Sequence, residues 1–270
     1  MPASIDDLRG ELRRLGRVVV AFSGGADSSL LAKVARDTLG RSAVLCATAL
    51  SPSLAGTEED DCRALADEWD LRWVGVATDE MHDPTYVANG ADRCARCKTA
   101  LMDALGPLAD DEDATVVLGV NVSDLGDHRP GQAAAAGAGA VFPFVEAGFT
   151  KDDIRSWSRT LGLRTWDKPA AACLASRLPY GTPVTLGRLA EVESAEAALR
   201  ALGFGQLRVR HHGEAARLEV EPSALAEVVA RRDEVVAAVR RAGFMFVALD
   251  LEGFRSGSLN RVLRSEGGAR

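Results

Sequence analysis

The chain has 270 residues, of which 47% are hydrophobic, and a formal net charge of −7 at pH 7. This length allows one large or two modest domains, and the apolar fraction is ordinary for a globular protein. The acidic balance disfavours a general attraction to nucleic acid, and the sequence holds no apolar run of about 18 residues that would predict a membrane-spanning helix.

The N-terminal segment, residues 1–16, is charged and predicts a helix capped by Ser4. It lacks the apolar centre of a secretion signal, so we expect a protein of the reducing cytoplasm. In that compartment cysteines are thiols or metal ligands rather than disulfides. The chain has five of them: Cys46, Cys62, Cys94, Cys97 and Cys173.

Strands and helices alternate through the first half of the sequence. Residues 17–22 form a β-branched apolar run typical of a buried parallel strand, and residues 27–39 show helical spacing that Gly40 ends. Further strands are predicted at 43–50, 71–78 and 114–120, with a helix at 57–69. This alternation predicts an α/β protein with a doubly wound parallel sheet, whose ligands bind at the carboxyl ends of the strands.

The composition changes over residues 165–187, which are rich in Pro, Ala and Gly. Beyond them we predict a helix at 185–202, a β-hairpin at 206–221, a helix at 223–242 and a last strand at 244–253. The expected domains are residues 1–184, which carry the parallel sheet, and a smaller α+β domain of residues 185–270.

The strongest local signal is the segment SGGADS at residues 23–28, between a predicted strand and a predicted helix. Gly24 and Gly25 lack Cβ atoms, so main-chain amides can approach an anion closely, and the helix start adds its positive end. Ser23 and Ser28 can donate hydroxyl hydrogen bonds, whereas Asp27 would repel phosphate unless Mg²⁺ intervenes. The alternative is a tight turn with Ser and Asp capping. We call residues 23–28 the phosphate loop.

The phosphate loop resembles the PP-loop of the N-type ATP pyrophosphatases, which cleave ATP between its α- and β-phosphates. The resemblance implies that the chain attaches AMP to a substrate. It also implies that the adenine lies against the end of the second strand, at residues 48–51, which begin with Thr48.

Cys94 and Cys97 form a CxxC motif with basic neighbours that favour thiolates. Two soft ligands are too few for a zinc or iron–sulfur site, so a plain pair of thiols is the alternative. Cys173 is either a reactive loop thiol or a small buried residue, and spacing alone does not decide. Cys46 and Cys62 lie inside predicted elements and are interpreted as core residues.

Six blocks in order resemble the LarE family, the ATP-dependent sulfur transferases of nickel-pincer cofactor synthesis. Ser123 departs from the family pattern, where Asp or Ala is more usual. The blocks are SGGADSSLLAKVA, NGADRCARCKTAL, GVNVSDLGDHRPG, WDKPAAACLASRLPYGTPVT, LRVRHHGEAARLEV and LDLEGFRSGSLN.

The resemblance implies a two-step reaction on a pyridinium biscarboxylic acid mononucleotide. A substrate carboxylate attacks the α-phosphate of ATP and releases pyrophosphate, and a cysteine-borne sulfur then displaces AMP to give a thiocarboxylate. Because AMP leaves far more readily than hydroxide, a difficult substitution is divided into two easier ones. Mg²⁺ and the loop amides would stabilise charge on the pyrophosphate.

Cys173 matches the family's reacting cysteine. In single-cysteine members this residue gives up its own sulfur and becomes dehydroalanine. Members that also carry the CxxC pair are thought to hold a [4Fe–4S] cluster on three thiolates, here Cys94, Cys97 and Cys173, whose fourth iron carries an exchangeable sulfide. Both sulfur sources remain open for this chain.

Glu196 matches a family acid near the reacting sulfur that could handle a proton, although the residues alone favour an exposed helix position. Arg208 and Arg210 alternate on a predicted strand, so they form either a pair that binds the substrate's phosphate, which the resemblance supports, or a solvated face. Ser176 and Arg177 are candidates for substrate contact.

Four further polar residues lie near predicted strand or loop ends and are candidates to contact ATP or Mg²⁺: Lys98, Asn121, Asp124 and Arg129. Three histidines lack metal-ligand spacing and are interpreted as surface or capping residues: His128, His211 and His212.

The expected partners are the mononucleotide substrate, a sulfur donor, other nickel-pincer pathway proteins and further copies of the chain, because the family forms ring-shaped homo-oligomers. Another PP-loop enzyme, such as a tRNA thiolase or an amide-forming synthetase, is the first alternative. A nucleotide-binding regulator without turnover is the second. The acidic chain lacks the basic face expected of a tRNA enzyme.

Overall fold

A computed structural model describes residues 3–125, 130–169 and 172–255. The chain divides into two compact units. The first consists of Met1–Asp83 and Cys94–Ala171, and the second consists of Pro84–Arg93 and Ala172–Arg270. This division lies earlier in the chain than the boundary expected between residues 184 and 185, and the domain assignment made from the sequence stays a prediction.

The first unit holds a four-stranded sheet in which every neighbouring pair is parallel. Its strands are β1 (Val18–Ala21), β2 (Val44–Leu50), β3 (Arg72–Ala77) and β4 (Thr115–Val117), in the order β3-β2-β1-β4. All four were predicted. β4 is shorter than predicted and ends at Val117. On its other side, Val117 forms only an isolated bridge, to Val141.

The helices that begin before residue 160 differ widely in length. They are α1 (Ile5–Leu15), α2 (Ala26–Leu39), α3 (Gly56–Glu68), α4 (Pro84–Val87), α5 (Arg93–Asp111), α6 (Pro130–Gly137), α7 (Pro143–Glu146) and α8 (Lys151–Thr160). The expected N-terminal cap is present, since Ser4 accepts a hydrogen bond from the Asp6 amide at 3.2 Å. Gly40 ends α2 at a positive φ of 84°.

Among the residues that the structure describes, none of the helices combines the length and the apolar character needed to cross a membrane.

Alternate residues of β1 serve two different hydrophobic cores. Val18 and Val20 pack into a core with the buried faces of α1, α2, α3 and α8. Val19 lies in a second core with α5 and α6. Side chains of a strand alternate between its two faces, so helices cover both sides of the sheet. The predicted doubly wound α/β architecture is therefore confirmed.

The second unit contains a smaller sheet, β5 (Leu207–His212), β6 (Ala215–Val220) and β7 (Phe246–Leu249). β5 and β6 form the predicted antiparallel hairpin, and β7 runs parallel to β6. Its main helices are α9 (Leu186–Ala201), α10 (Leu225–Ala230) and α11 (Arg232–Arg241). The single helix predicted at 223–242 is wrong, because the backbone leaves the helical region at Arg231, whose guanidinium donates to the Leu202 carbonyl at 2.9 Å.

The segment Pro84–Arg93 belongs to the second unit although it lies between β3 and α5 in sequence. The buried Asn89 adopts a φ of 58° and donates through its side-chain amide to the carbonyls of Pro179 and Thr182, each at 2.9 Å. Arg93 is also buried and donates to the Ala175 carbonyl at 2.9 Å. These bonds fix the loop that follows Cys173.

Candidate active site

The phosphate loop makes its sharpest turn at Gly24, which has a positive φ of 64°. A Cβ at this position would lie 3.0 Å from the Cys62 thiol, so both the backbone angle and the space require glycine. Gly25 is the N-cap residue of α2 and has an extended conformation, and no side chain in the described ranges caps that helix start. The loop thus presents main-chain amides at a helix N-terminus, the arrangement that binds phosphate groups.

Two hydroxyls bind each other inside the loop. The Oγ atoms of Ser23 and Ser28 lie 3.1 Å apart, and the Ser28 hydroxyl also accepts from the Ser23 amide at 3.2 Å. These bonds draw the two ends of the loop together. The phosphate contacts expected of both serines stay predictions.

Asp27 lies in the first turn of α2 and contacts the loop that follows β4. The Asn121 side-chain amide donates to its Oδ1 at 3.1 Å, and the Lys151 ammonium binds its Oδ2. Gly119 packs closely, because a Cβ there would lie 3.1 Å from the Asp27 backbone carbon. The sequence predicted a cation beside Asp27, and in this structure the positive partner is Lys151, which the sequence reasoning missed. Mg²⁺ at Asp27 stays a prediction.

Thr48 is buried near the carboxyl end of β2 and is engaged on two sides. Its hydroxyl donates to the Phe22 carbonyl at 2.7 Å and accepts from the Trp73 indole at 2.8 Å. These bonds tie β2 to β3 and to the residue after β1. The adenine contact expected at residues 48–51 stays a prediction.

Lys168 lies close to the loop from the side of α3. Its ammonium would be 3.7 Å from a Cβ on Gly24, and it donates to Glu58 at 2.8 Å and to Asp61 at 2.6 Å. Burial alone would lower the pKa of Lys168, but these two hydrogen bonds outweigh it and raise the pKa. The sequence pattern WDKP predicted no role for this lysine.

Cys46 and Cys62 are fully buried, as predicted for core residues. Burial raises the pKa of Cys46 to about 12 and that of Cys62 to about 11. Both therefore stay protonated thiols at neutral pH.

The CxxC pair lies in the first turn of α5, with Cys94 exposed and Cys97 half-buried. Residues three positions apart share a helix face, so the two sulfurs suit a common soft ligand. Cys173 is exposed at the start of a short 3₁₀ turn and belongs to the second unit. Within the described residues, no three His, Cys, Asp or Glu side chains are grouped to hold a metal ion. The three-cysteine cluster stays a prediction.

The other predicted ATP contacts take separate positions. Lys98 lies one turn after Cys94 on α5, where Gly131 packs against its side chain. Asp124 accepts from the Asn121 backbone amide at 3.2 Å and so shapes the loop that holds Asn121. Arg129 and His128 lie outside the described residues.

Arg177 organises the loop that carries Cys173. Its side chain is 4% exposed and donates to Glu196 Oε1 at 2.8 Å and Oε2 at 3.0 Å. Its other terminal amino group donates to the Ala172 carbonyl, to the Cys173 carbonyl at 3.0 Å and to the Ser176 hydroxyl at 3.2 Å. The guanidinium thus joins a buried carboxylate to the backbone of the candidate nucleophile.

Glu196 is buried in α9, so the exposed helix position favoured by the residues alone is wrong. The carboxylate also accepts from Arg200 at 2.8 Å and from the Val209 amide at 3.1 Å. Burial would raise the pKa of Glu196, but Arg177 and these donors outweigh it and hold the pKa below its usual value. Glu196 is therefore a carboxylate at neutral pH. Its proton-handling role stays a prediction.

Arg208 and Arg210 on β5 are 9% and 6% exposed, so the alternative of a solvated strand face is wrong. Arg210 donates to the buried Glu219 at 2.7 Å and to the Ser176 carbonyl at 2.9 Å. Sequence reasoning missed Glu219, although it alternates with other polar residues in the hairpin. We call Arg177, Glu196, Arg208, Arg210 and Glu219 the arginine–glutamate cluster.

Arg208 is the arginine of this cluster whose charged form is disfavoured by its surroundings. Burial, with repulsion from Arg177, lowers the pKa of Arg208 to about 10. Its guanidinium lies 5.1 Å over the Phe254 ring and donates to the Leu207 carbonyl at 2.9 Å. A bound anion would relieve the repulsion between the arginines, which fits the predicted phosphate contact.

His211 was expected at the surface or in a cap, and this is wrong. It is buried, its Nε2 lies 2.8 Å from a Glu191 carboxylate oxygen, and its ring meets Phe244 edge-on at 5.2 Å. The side chain points into the layer between β5 and α9, where an imidazole can be apolar on one side and hydrogen-bonded on the other. His212 is exposed, as expected.

No family model matches the chain, but known proteins are similar to it over most of its length. An uncharacterized protein of Synechocystis sp. is 44% identical over 271 residues, which cover 97% of this chain and 99% of that protein. An uncharacterized protein of Methanocaldococcus jannaschii is 25% identical over 241 residues, 89% of this chain and 91% of that protein.

The pyridinium-3,5-bisthiocarboxylic acid mononucleotide synthase of Lactiplantibacillus plantarum is 38% identical over 253 residues. The alignment covers 93% of this chain and 92% of the synthase, so it includes both units and the segments that carry the site. The sequence motifs predicted this relationship, and the comparison confirms it: the chain belongs to the LarE family of sulfur-transferring synthases.

Proposed function

We propose that this protein uses ATP to adenylate a carboxylate of pyridinium-3,5-biscarboxylic acid mononucleotide and converts it to a thiocarboxylate in nickel-pincer nucleotide synthesis. The observation that carries the proposal is the phosphate loop, where the turn at Gly24 and the uncapped start of α2 form an anion site. The similarity to the Lactiplantibacillus plantarum synthase supports the substrate.

The first step needs a grip on the pyrophosphate that leaves. Loop amides and the α2 start would stabilise its developing charge, and Mg²⁺ held in part by Asp27 would supply further positive charge. The substrate carboxylate attacks the α-phosphorus, the bond to the β-phosphate bridging oxygen breaks, and an acyl-adenylate forms.

The second step needs an accessible sulfur, and Cys173 is exposed on a loop that Arg177 holds by its carbonyls. The sulfur attacks the acyl carbon and AMP departs. If Cys173 supplies its own sulfur, a base must then remove its Cα proton while the Cβ–S bond breaks, so that the sulfur leaves with the product and dehydroalanine remains. If Cys94, Cys97 and Cys173 hold a [4Fe–4S] cluster, the cysteines persist and a sulfur donor reloads the site.

The arginines of the arginine–glutamate cluster are proposed to bind the substrate's phosphate, since guanidinium groups pair with phosphate in a fixed geometry. Their burial and the lowered pKa of Arg208 support this, because a bound dianion would offset an excess of positive charge. Ser176 is proposed to contact the same ligand.

We also propose a cytoplasmic homo-oligomer that exchanges substrate and sulfur with other pathway proteins. All five cysteines are free thiols, which suits a reducing compartment. Exposed apolar residues around β7 support self-association: Met245, Phe246 and Leu251. Light scattering with and without Phe246→Glu tests this, and an unchanged mass of a single chain in both samples rejects it.

Pyrophosphate release on mixing protein, ATP and the biscarboxylic mononucleotide tests the activity. We expect AMP and pyrophosphate in equal amounts, and loss of both in Asp27→Ala. Undiminished release in that variant would overturn the ATP assignment. Release with a tRNA or an amine acceptor instead would favour another PP-loop enzyme, and binding without turnover would favour a regulator.

Anaerobic purification followed by iron analysis and intact mass separates the sulfur sources. Iron in the protein with an unchanged Cys173 after turnover supports the cluster. An iron-free protein that loses about one sulfur plus its hydrogens at Cys173 supports the sacrificial route.

A further inference from the structure

Lys151 occupies a helix position that disfavours a cation. It is the first residue of α8, directly after Thr150, whose hydroxyl accepts from the Asp153 amide at 3.3 Å while Asp153 accepts from the Thr150 amide at 3.0 Å. This capping box stabilises the helix start without help from Lys151. A positive side chain there opposes the helix dipole, so its presence calls for another reason.

That reason lies on α2. The Lys151 ammonium pairs with Asp27 Oδ2, and the Lys151 backbone amide donates to the Ser123 hydroxyl at 3.1 Å. Both main chain and side chain of Lys151 are therefore fixed against the elements that shape the phosphate loop. Asp27 is itself the second residue of α2, so the ion pair joins the first turn of α2 to the first residue of α8.

The pair remains accessible to solvent. The side chains of Lys151 and Asp27 are 35% and 26% exposed, so an ion entering the loop would meet both charges. Asp27 alone would repel a polyphosphate at the helix start, whereas the paired lysine neutralises it and retains two further N–H donors.

We infer that Lys151 is a nucleotide-site residue, which offsets the charge of Asp27 and donates to the polyphosphate of ATP. This inference rests on the proposed binding of ATP at the phosphate loop. It assigns to the protein itself part of the positive charge that the polyphosphate would meet at this site.

Calorimetric titration of the full-length protein with ATP, in EDTA and without added divalent metal, tests the inference. We expect Lys151→Met to weaken ATP binding at least tenfold and Lys151→Arg to change it less than threefold. Asp27→Asn in the Lys151→Met background should recover part of the lost affinity, because the repelling carboxylate is then gone while the donors of Lys151 stay absent. A purely structural role for Lys151 would give no such recovery.

Lys33→Met is the matched control, because Lys33 lies on α2 in an ion pair with Asp37 outside the loop, and its ATP affinity should match that of the wild type. Wild-type affinity in Lys151→Met, or no recovery in the double variant, overturns the inference while the proposed function stands. If the wild type itself fails to bind ATP, the proposed function fails. Should circular dichroism show that Lys151→Met is unfolded, Lys151→Arg and Asp27→Asn decide, and a tenfold loss in either contradicts the charge argument.

Discussion

The phosphate loop and the arginine–glutamate cluster differ in the groups that interact with charge, which are main-chain amides in the loop and charged side chains in the cluster. The loop is six consecutive residues that turn at Gly24 into an uncapped helix start, and its proposed binding groups are main-chain amides. The cluster draws charged side chains from separate segments, and its carboxylates Glu196 and Glu219 are buried against arginines. Changes in the loop should therefore act mainly on binding, and changes in the cluster mainly on folding.

The largest expected effect tests the cluster. Arg177→Ala leaves Glu196 buried without its two-point partner, and breaking such a pair typically destabilises by about 3–5 kcal/mol. Urea unfolding measures the loss. Arg200→Ala is the matched control, because Arg200 binds the same carboxylate but is 40% exposed, and its loss should be about 1 kcal/mol or less. Equal losses in the two variants would contradict the distinction between buried and exposed partners.

Gly24→Ala tests the loop. Because Gly24 has a left-handed backbone, the substitution should lower the free energy of unfolding by about 1–2 kcal/mol. The new Cβ also presses on Cys62, so the free energy of ATP binding should fall by more than the free energy of unfolding. Gly10→Ala is the control, because Gly10 lies inside α1 with no atom near its Cβ position and should stabilise by about 0.5–1 kcal/mol. Melting and ATP titration measure both quantities. Unimpaired ATP binding in Gly24→Ala would count against the loop as the nucleotide site.

A smaller effect concerns pH. Because the pKa of Glu196 is lowered on folding, its stabilisation is complete above the ordinary carboxyl pKa and is lost as the pH falls through the lowered value. The free energy of unfolding of the wild type should thus fall as the pH drops below the ordinary glutamate pKa of 4.5, and that of Glu196→Gln should fall less steeply. Asp233→Asn, on an exposed side chain, should keep the wild-type slope. Parallel curves for wild type and Glu196→Gln would refute this prediction.

The smallest expected effect concerns the rates at which the cysteines react, and it involves no change in the stability of the protein. Iodoacetamide at about pH 8 should modify the exposed Cys94 and Cys173 first and Cys97 more slowly. Cys46 and Cys62 should remain unmodified in the folded protein, because burial blocks access and raises their pKa to about 12 and about 11. Peptide mass spectrometry reads each site. Early modification of Cys62 would show that the loop opens readily at Gly24.

The same contrast explains what the sequence could predict. The phosphate loop is local, since a strand, two glycines and a helix start follow one another, and the four parallel strands follow from apolar runs. The burial of Glu196 and His211 depends on partners in other segments, so the helix position of Glu196 and the lack of metal-ligand spacing at His211 wrongly indicated the surface. At the helix break, the Arg231 side chain binds a carbonyl 29 residues away, a contact that local sequence does not show.

Lys151 was within reach of the sequence but was missed. A lysine directly after a threonine cap, in the pattern TKDD, opposes the expected charge of a helix start and could have been marked for a special role. Its partner Asp27 is 124 residues away, and only the fold shows the pairing.

The hydrogen bonds of Asn89 can form only late in the synthesis of the chain. Its amide binds carbonyls up to 93 residues later in the chain, so the ribosome must add all of these residues before the bonds can form. At about 5–20 residues per second, Asn89 waits roughly 5–20 s for its partners. During translation, the ten residues Pro84–Arg93 are therefore made well before the rest of the unit with which they pack.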